Sequence, residues 1–149
     1  MSHFQELLLV ALLALVIVPG IFFLITLQNT LKAIDADNRT MEPGKIWLLM
    51  IPLFNYVWMF IVVKAIADSI KNQLEKYGVY SEERPTYNLG MALSISSAAS
   101  LIPVLGTIIG LPVLILWIFY WIKVNEKKKE LQTLQSTIGQ ADETSIFAH

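Results

Sequence analysis

Apolar and polar positions fall along this chain in long blocks. Three windows contain no Lys, Arg, Asp or Glu: Leu7 to Leu31, Ile46 to Val63 and Pro85 to Ile122, which are 25, 18 and 38 residues long. An uncharged apolar run of about 18 residues or more can cross a hydrocarbon core of roughly 30 Å as a helix. The pattern predicts an all-α integral membrane protein with about four membrane-embedded helical segments in a single membrane domain, residues 1–149. The first is a membrane helix over 7–27, where Pro19-Gly20 removes a ladder hydrogen bond and kinks the rod. The second, over 46–77, is interrupted by Ile51-Pro52-Leu53-Phe54-Asn55. It then continues as an amphipathic extension striped by Ile66, Ile70, Leu74 and Tyr77, with Lys64, Asp68, Lys71 and Glu75 paired along it. Gly78 suits a left-handed C-terminal cap.

The third window exceeds one ordinary span and divides at Ile102-Pro103-Val104-Leu105-Gly106. It predicts a helical hairpin of a small-residue arm, 88–101, and a bulkier arm, 104–122, whose Trp117, Tyr120 and Trp121 mark an interface. A cytoplasmic helix follows over 123–138 with Leu131, Leu134 and Ile138 as a weak stripe, and the last ten residues are expected to fray. The two Ile-Pro motifs at 51–55 and 102–106 resemble one another, and duplication and coincidence both account for that. Each could be the tip of a hairpin that enters the bilayer and returns on the same side, provided its freed backbone groups are buried against protein.

Basic residues separate two topologies, because Lys and Arg concentrate on the cytoplasmic side. All 11 lie after the first helix. Two re-entrant hairpins place all 11 inside and the N-terminus outside. Four simple spans leave Lys32, Arg39 and Lys45 outside and the other eight inside. Whether 46–63 spans or re-enters stays open, and both schemes put the C-terminus in the cytoplasm.

Composition removes several function classes. Apolar residues make up 55% and charged residues 15%, against about 45–50% and 25% in soluble domains. Without cysteine there is no disulfide, thiolate nucleophile or thiolate metal site. A net charge of −1 with dispersed basic residues gives nucleic acid no footprint. The first window is not read as a signal peptide, since Met1 to Glu6 carries no Lys or Arg and no clear cleavage site follows.

Candidate chemistry is sparse. His3 and His149 stand at opposite ends, and no carboxylate lies in an apolar window, so no catalytic, metal-binding or cofactor-binding constellation is expected. Asp35, Asp37, Glu42 and Asp68 are either a solvated loop and helix face or a cluster of interfacial carboxylates able to hold a metal. Gly90, Ser94 and Ala98 recur every four residues, and Gly106 and Gly110 form a Gly-x-x-x-Gly pair, so these five are read as helix-packing positions. Asn55, Ser94 and Ser97 have a second reading, as the lining of a pore or polar groove made by several copies. Lys127, Lys128 and Lys129 suit anionic lipid headgroups or act simply as a topology signal.

The run Pro43-Gly44-x-x-Trp47-x-x-x-Ile51-Pro52-x-x-Asn55-x-x-Trp58 resembles one found in small bacterial multipass membrane proteins of unknown function. Tyr87-Asn88-Leu89-Gly90 and Trp117 to Lys123 belong to the same pattern, so the resemblance covers most of residues 20–125. It implies a bacterial inner membrane and no activity. The expectation is a non-enzymatic protein acting through helix association, as a homo-oligomer or as a small accessory subunit of a larger membrane complex. The alternatives are a homo-oligomeric pore and an interfacial lipid-modifying enzyme using Asp35, Asp37 and Asp68.

Overall fold

The charge-free blocks become helices. In a computed structural model, which describes residues 3–79 and 83–147, α1 is His3–Lys32, α2 Phe54–Lys76, α3 Tyr87–Ala99 and α4 Pro103–Phe147. Between α1 and α2 lie a 3-10 turn, Ala36–Asn38, and a 3-10 segment, Pro43–Met50. The described residues contain no strand. Two helices, His3–Lys32 and the Ile108–Asp142 part of α4, are long and apolar enough to cross a membrane.

The helices run past several expected boundaries. α1 begins before Leu7, continues through Pro19 and extends beyond Leu27, because Leu31 is buried and the Thr30 hydroxyl donates back to the Thr26 carbonyl at 2.8 Å. α4 joins the expected 104–122 and 123–138 pieces into one rod reaching Phe147, where fraying was expected. Gly139 keeps a negative φ inside it, so its cost is only the roughly 1 kcal/mol that separates Gly from Ala in a helix. Gly78 behaves as its sequence position predicts. It takes φ +73°, its N–H donates to Glu75 O at 3.0 Å, and the Val79 N–H donates to Leu74 O at 2.9 Å, which closes the end of α2.

The expected 46–77 segment is two pieces joined by a tight turn. The Phe54 N–H donates to Pro52 O at 2.7 Å across Leu53, whose φ is 64° and ψ −44°. This is a γ-turn of the strained hand, which costs a leucine of order 1–3 kcal/mol. Asn55 N–H then donates to Ile51 O and α2 starts. The segment 43–50 thus runs toward the turn and α2 runs back from it, held by Trp58 Nε1 donating to Lys45 O at 3.0 Å. A second hairpin, α3 and α4, turns at 100–102, where the Gly106 N–H donates to Ile102 O at 2.8 Å.

Helix direction follows from contacts. On α1, Val16 and Gly20 share a cavity wall with Val113, while Phe23 packs edge-on against Trp117 and Trp121 at centroid distances of 5.4 and 6.0 Å. Thr26 Oγ1 accepts from Trp121 Nε1 at 2.9 Å. α1 and α4 are therefore parallel. α2 runs the same way, since its C-terminal Lys76 meets Asp35, just beyond the end of α1, at 2.7 Å. Both hairpin turns consequently lie on the side from which α1 starts.

Most buried residues gather at the other end: Leu27, Leu31, Ile34 and Ile46 pack with Val62, Ile66, Ile70, Leu74, Tyr120, Val124 and Leu131. Leu131 and Leu134 of the expected stripe join this core, and Ile138 is exposed. Polar side chains lace the connector to α2. Buried Gln73 accepts from the Asp35 N–H at 3.0 Å and Asn38 Nδ2 at 2.8 Å, and donates to Asp35 Oδ2 at 3.0 Å. Buried Ser69 accepts from the Thr40 N–H at 2.9 Å, and Thr40 Oγ1 donates to Ala65 O at 3.0 Å. Arg39 caps α1, donating to the carbonyls of Ile34 at 2.7 Å and Lys32 at 3.2 Å.

Candidate functional site

Each close approach near the site has a small residue behind it. α3 fits between α2 and α4 because Gly90 has no side chain: a Cβ there would stand 2.5 Å from Val63 Cγ1 and 2.6 Å from Tyr120 Cε2. Ser94, one turn on, is buried and donates to Gly90 O at 2.9 Å, while Ala98 is half-buried. A Cβ on Gly106 would meet Ser100 O at 2.6 Å, so this glycine serves the hairpin turn. Gly110 has open space around it. Of the five packing positions, Gly90, Ser94 and Gly106 are engaged within the chain, and Gly110 faces outward.

α1 rests on the 3-10 segment and α4, and α3 on α2 and α4, but among the described residues no Cα of α1 comes within 8 Å of one in α3. The gap between them is a cleft of about 550 Å³. α1 contributes Ile17, Gly20 and Leu24; the 3-10 segment Leu49 and Met50; α2 Asn55, Tyr56 and Met59; α3 Leu93, Ser97 and Ser100; α4 Val113 and Trp117. Among the described residues no carboxylate, Lys, Arg or His lies on the wall. The Ser100 hydroxyl donates to Ser97 O at 2.7 Å. Asn55 is half-buried, and its side-chain amide has no hydrogen-bond partner among the described residues. The γ-turn sets the start of α2 and so puts Asn55 on this wall.

Of the pore candidates, the cleft unites Asn55 with Ser97, while Ser94 is sealed inside α3's packing. Tyr56, Ser100 and Trp117 were not singled out for this site. Their only signal was proximity in sequence to the Ile-Pro breaks and the aromatic end. Tyr120 is fully buried and Trp121 is hydrogen-bonded to α1, so this aromatic cluster is largely a packing feature. The Tyr120 and Thr86 hydroxyls are buried without a hydrogen-bond partner among the described residues. Thr86 also has φ 67° at the N-cap of α3.

The carboxylates are dispersed. Asp35 binds Lys76, and Asp68 binds Arg84 at 3.0 Å, with the Arg84 guanidinium also lying 5.2 Å from the Tyr87 ring centre. Glu42 is 3.5 Å from Lys45. Among the described residues no three His, Asp or Glu side chains could hold a metal together. His149 lies outside the described residues. Hydrogen bonds from Lys76 and then Gln73 hold the Asp35 carboxyl below its ordinary range, and the Asp35 carboxylate raises the Lys76 ammonium. Lys127 pairs with Glu130 at 2.6 Å; Lys128 and Lys129 make no ion pair among the described residues. A hollow of about 280 Å³ beside Arg39 and Lys45 offers an anion little, because Arg39 is committed to α1's carbonyls.

Chemically, the cleft can hold an apolar body and hydrogen-bond an uncharged head, but its serines have no general base beside them. Comparisons with protein-family models, curated proteins and solved structures give no match.

Proposed function

We propose that this chain is a small, non-enzymatic helical protein embedded in a bacterial inner membrane that works by helix association, with itself or as an accessory subunit. In this reading α1 crosses the bilayer once from an external N-terminus. The 43–53/α2 and α3/α4 hairpins enter and return on the cytoplasmic side, where the C-terminal part of α4 projects. Two features support the topology: the shared direction of α1, α2 and α4, and the absence of Lys and Arg from α1 before Lys32. The observation that carries the association reading is the first half of α1. From Phe4 to Leu15 its large apolar side chains are about half exposed or more among the described residues. The open surface at Gly110, flanked by exposed Leu111 and Leu114, extends the unpartnered apolar area.

Native mass measurement of the protein from nanodiscs tests this. The expected species contains two or more copies, or a defined foreign chain, and Leu12→Ala with Leu15→Ala, both outside the cleft, lowers its order. Single 16.8 kDa chains throughout would overturn association. Because the chain lacks cysteine, single introduced cysteines report topology separately. Gln5→Cys should label from outside, and Asp37→Cys and Gln132→Cys from inside. Labelling of Asp37→Cys from outside would select four simple spans.

A further inference from the structure

We propose that the cleft between α1 and α3 binds a neutral, lipid-soluble amphiphile: a long apolar chain bearing an uncharged carbonyl or hydroxyl head. The inference rests on the hairpin topology above; the cleft begins at Val16, just past the association face of Phe4 to Leu15. Depth is the first argument. Asn55 lies nine residues before Lys64, the first charge on α2, or about 14 Å of helix rise. That is near the middle of a hydrocarbon core about 30 Å thick. A phospholipid headgroup does not reach this level, whereas a molecule dissolved in the acyl region does.

Polarity is the second argument. The primary amide of Asn55 has no partner among the described residues, and an unpaired amide in hydrocarbon costs several kcal/mol. Ser97 lies on the same wall. With no carboxylate, Lys, Arg or His on that wall among the described residues, a charged head would be desolvated without compensation, so the head is neutral. Size is the third argument. One turn of a helix about 10 Å across and 5.4 Å long takes roughly 420 Å³. The cleft of about 550 Å³ therefore admits little more than one turn of a partner helix. It falls within the roughly 300–1,000 Å³ of small-ligand sites, and the side chains of Phe23, Met59, Leu93 and Trp117 offer an apolar bed.

The test uses the full chain in phosphatidylcholine nanodiscs, with decylubiquinone as a quenching probe of tryptophan fluorescence. Quenching should saturate and its Trp117 share should vanish in Trp117→Phe. Asn55→Leu should weaken binding about tenfold, the loss of one hydrogen bond to the head. Gly20→Leu leaves the polar wall intact and fills a position where a Cβ meets nothing within 4 Å; it should also weaken binding at least tenfold. Competition by dioleoylglycerol identifies a glyceride-type head, and lack of competition a quinone-type head. Quenching linear in quinone, or unchanged by both Asn55→Leu and Gly20→Leu, overturns the site even where cysteine labelling supports the hairpins. Outside labelling of Asp37→Cys overturns the depth argument instead. Gly20→Leu that releases a co-purifying protein without altering quenching assigns the cleft to a partner helix and overturns the ligand.

Discussion

The two ends of this molecule are held together by different means. Where α1, α2 and the middle of α4 converge, apolar residues are fully buried and the connector is tied to α2 through Gln73, Ser69 and Thr40. At the other end, the start of α1 and the two hairpin turns expose Leu15, Val16, Leu53, Ile102 and Ile108. Intrachain packing at the first end opposes the entropy of ordering the chain. At the second, a surrounding apolar medium must supply what the chain does not, since large exposed apolar surface in water is an interaction site or a liability. The contrast separates two kinds of surface: the specific intrachain ties sit at the charged end, and the exposed apolar side chains sit at the other.

The sharpest way to break this division is at Gly90, where the two ends meet. Gly90→Leu would drive its side chain into Val63, which is stiff and fully buried, and into the Tyr120 ring. Displacing α3 should cost about 3 kcal/mol or more, at the upper end for overpacking. Gly110→Leu, with open space around it, should leave the thermal midpoint of the single chain unchanged. Equal effects of the two variants in detergent thermal unfolding would remove the distinction.

A smaller effect tests the polar lacing alone. Gln73→Leu keeps an apolar volume in a fully buried position but leaves the Asp35 N–H, the Asp35 carboxylate and the Asn38 amide without this partner. The expected loss is about 2 kcal/mol, set by the stranded groups rather than by the net value of a hydrogen bond. Hydrogen exchange should rise across 33–41, while protection within α3 changes little. Uniform loosening of both regions would mean that the lacing is not local.

Much of this arrangement could be read from the residues. The charge-free windows marked where helices form, Gly78 marked the end of α2, and the Ile-Pro breaks marked both turns. The 3-10 form of 43–50 was not legible, because Ile46, Trp47, Leu48 and Leu49 fit a membrane helix equally well. Gln73 falls between Ile70 and Leu74 on the buried stripe, but only tertiary contact shows that its amide faces the connector. The cleft was half legible. Asn55 and Ser97 stood out as polar groups in apolar windows, but a site between α1 and α3 depends on two helix backbones that stand apart, which no local pattern encodes. The small residues of α3 and α4 announced close approach without naming the neighbour, and Gly90 and Gly106 meet their own chain rather than another.

The smallest expected effect concerns the ion pair at the rim of the laced end. Asp35 has a depressed pKa, chiefly because Lys76 and then Gln73 hydrogen-bond its carboxylate. An acid whose folded pKa lies below its unfolded value of about 3.9 contributes stability that is present above that value. The contribution is lost as pH falls through the lower folded pKa. Lys76 is shifted the other way, upward, by the same hydrogen bond. Its contribution is present below the ordinary lysine value near 10.4 and fades as pH rises through the higher folded pKa. The pair therefore supports the connector across the whole neutral range. Both side chains are more than a third exposed, so solvent and salt keep the effect small. Lys76→Met should return the Asp35 titration toward its ordinary range and shift the acid limb of stability upward in pH. Carboxyl-region NMR of an isotope-labelled sample checks the first change, and pH-dependent unfolding checks the second. Because no carboxylate, Lys, Arg or His lies on the cleft wall among the described residues, binding of the proposed amphiphile there should stay flat across the acid limb. A parallel loss of binding and connector protection would show that the two ends are coupled.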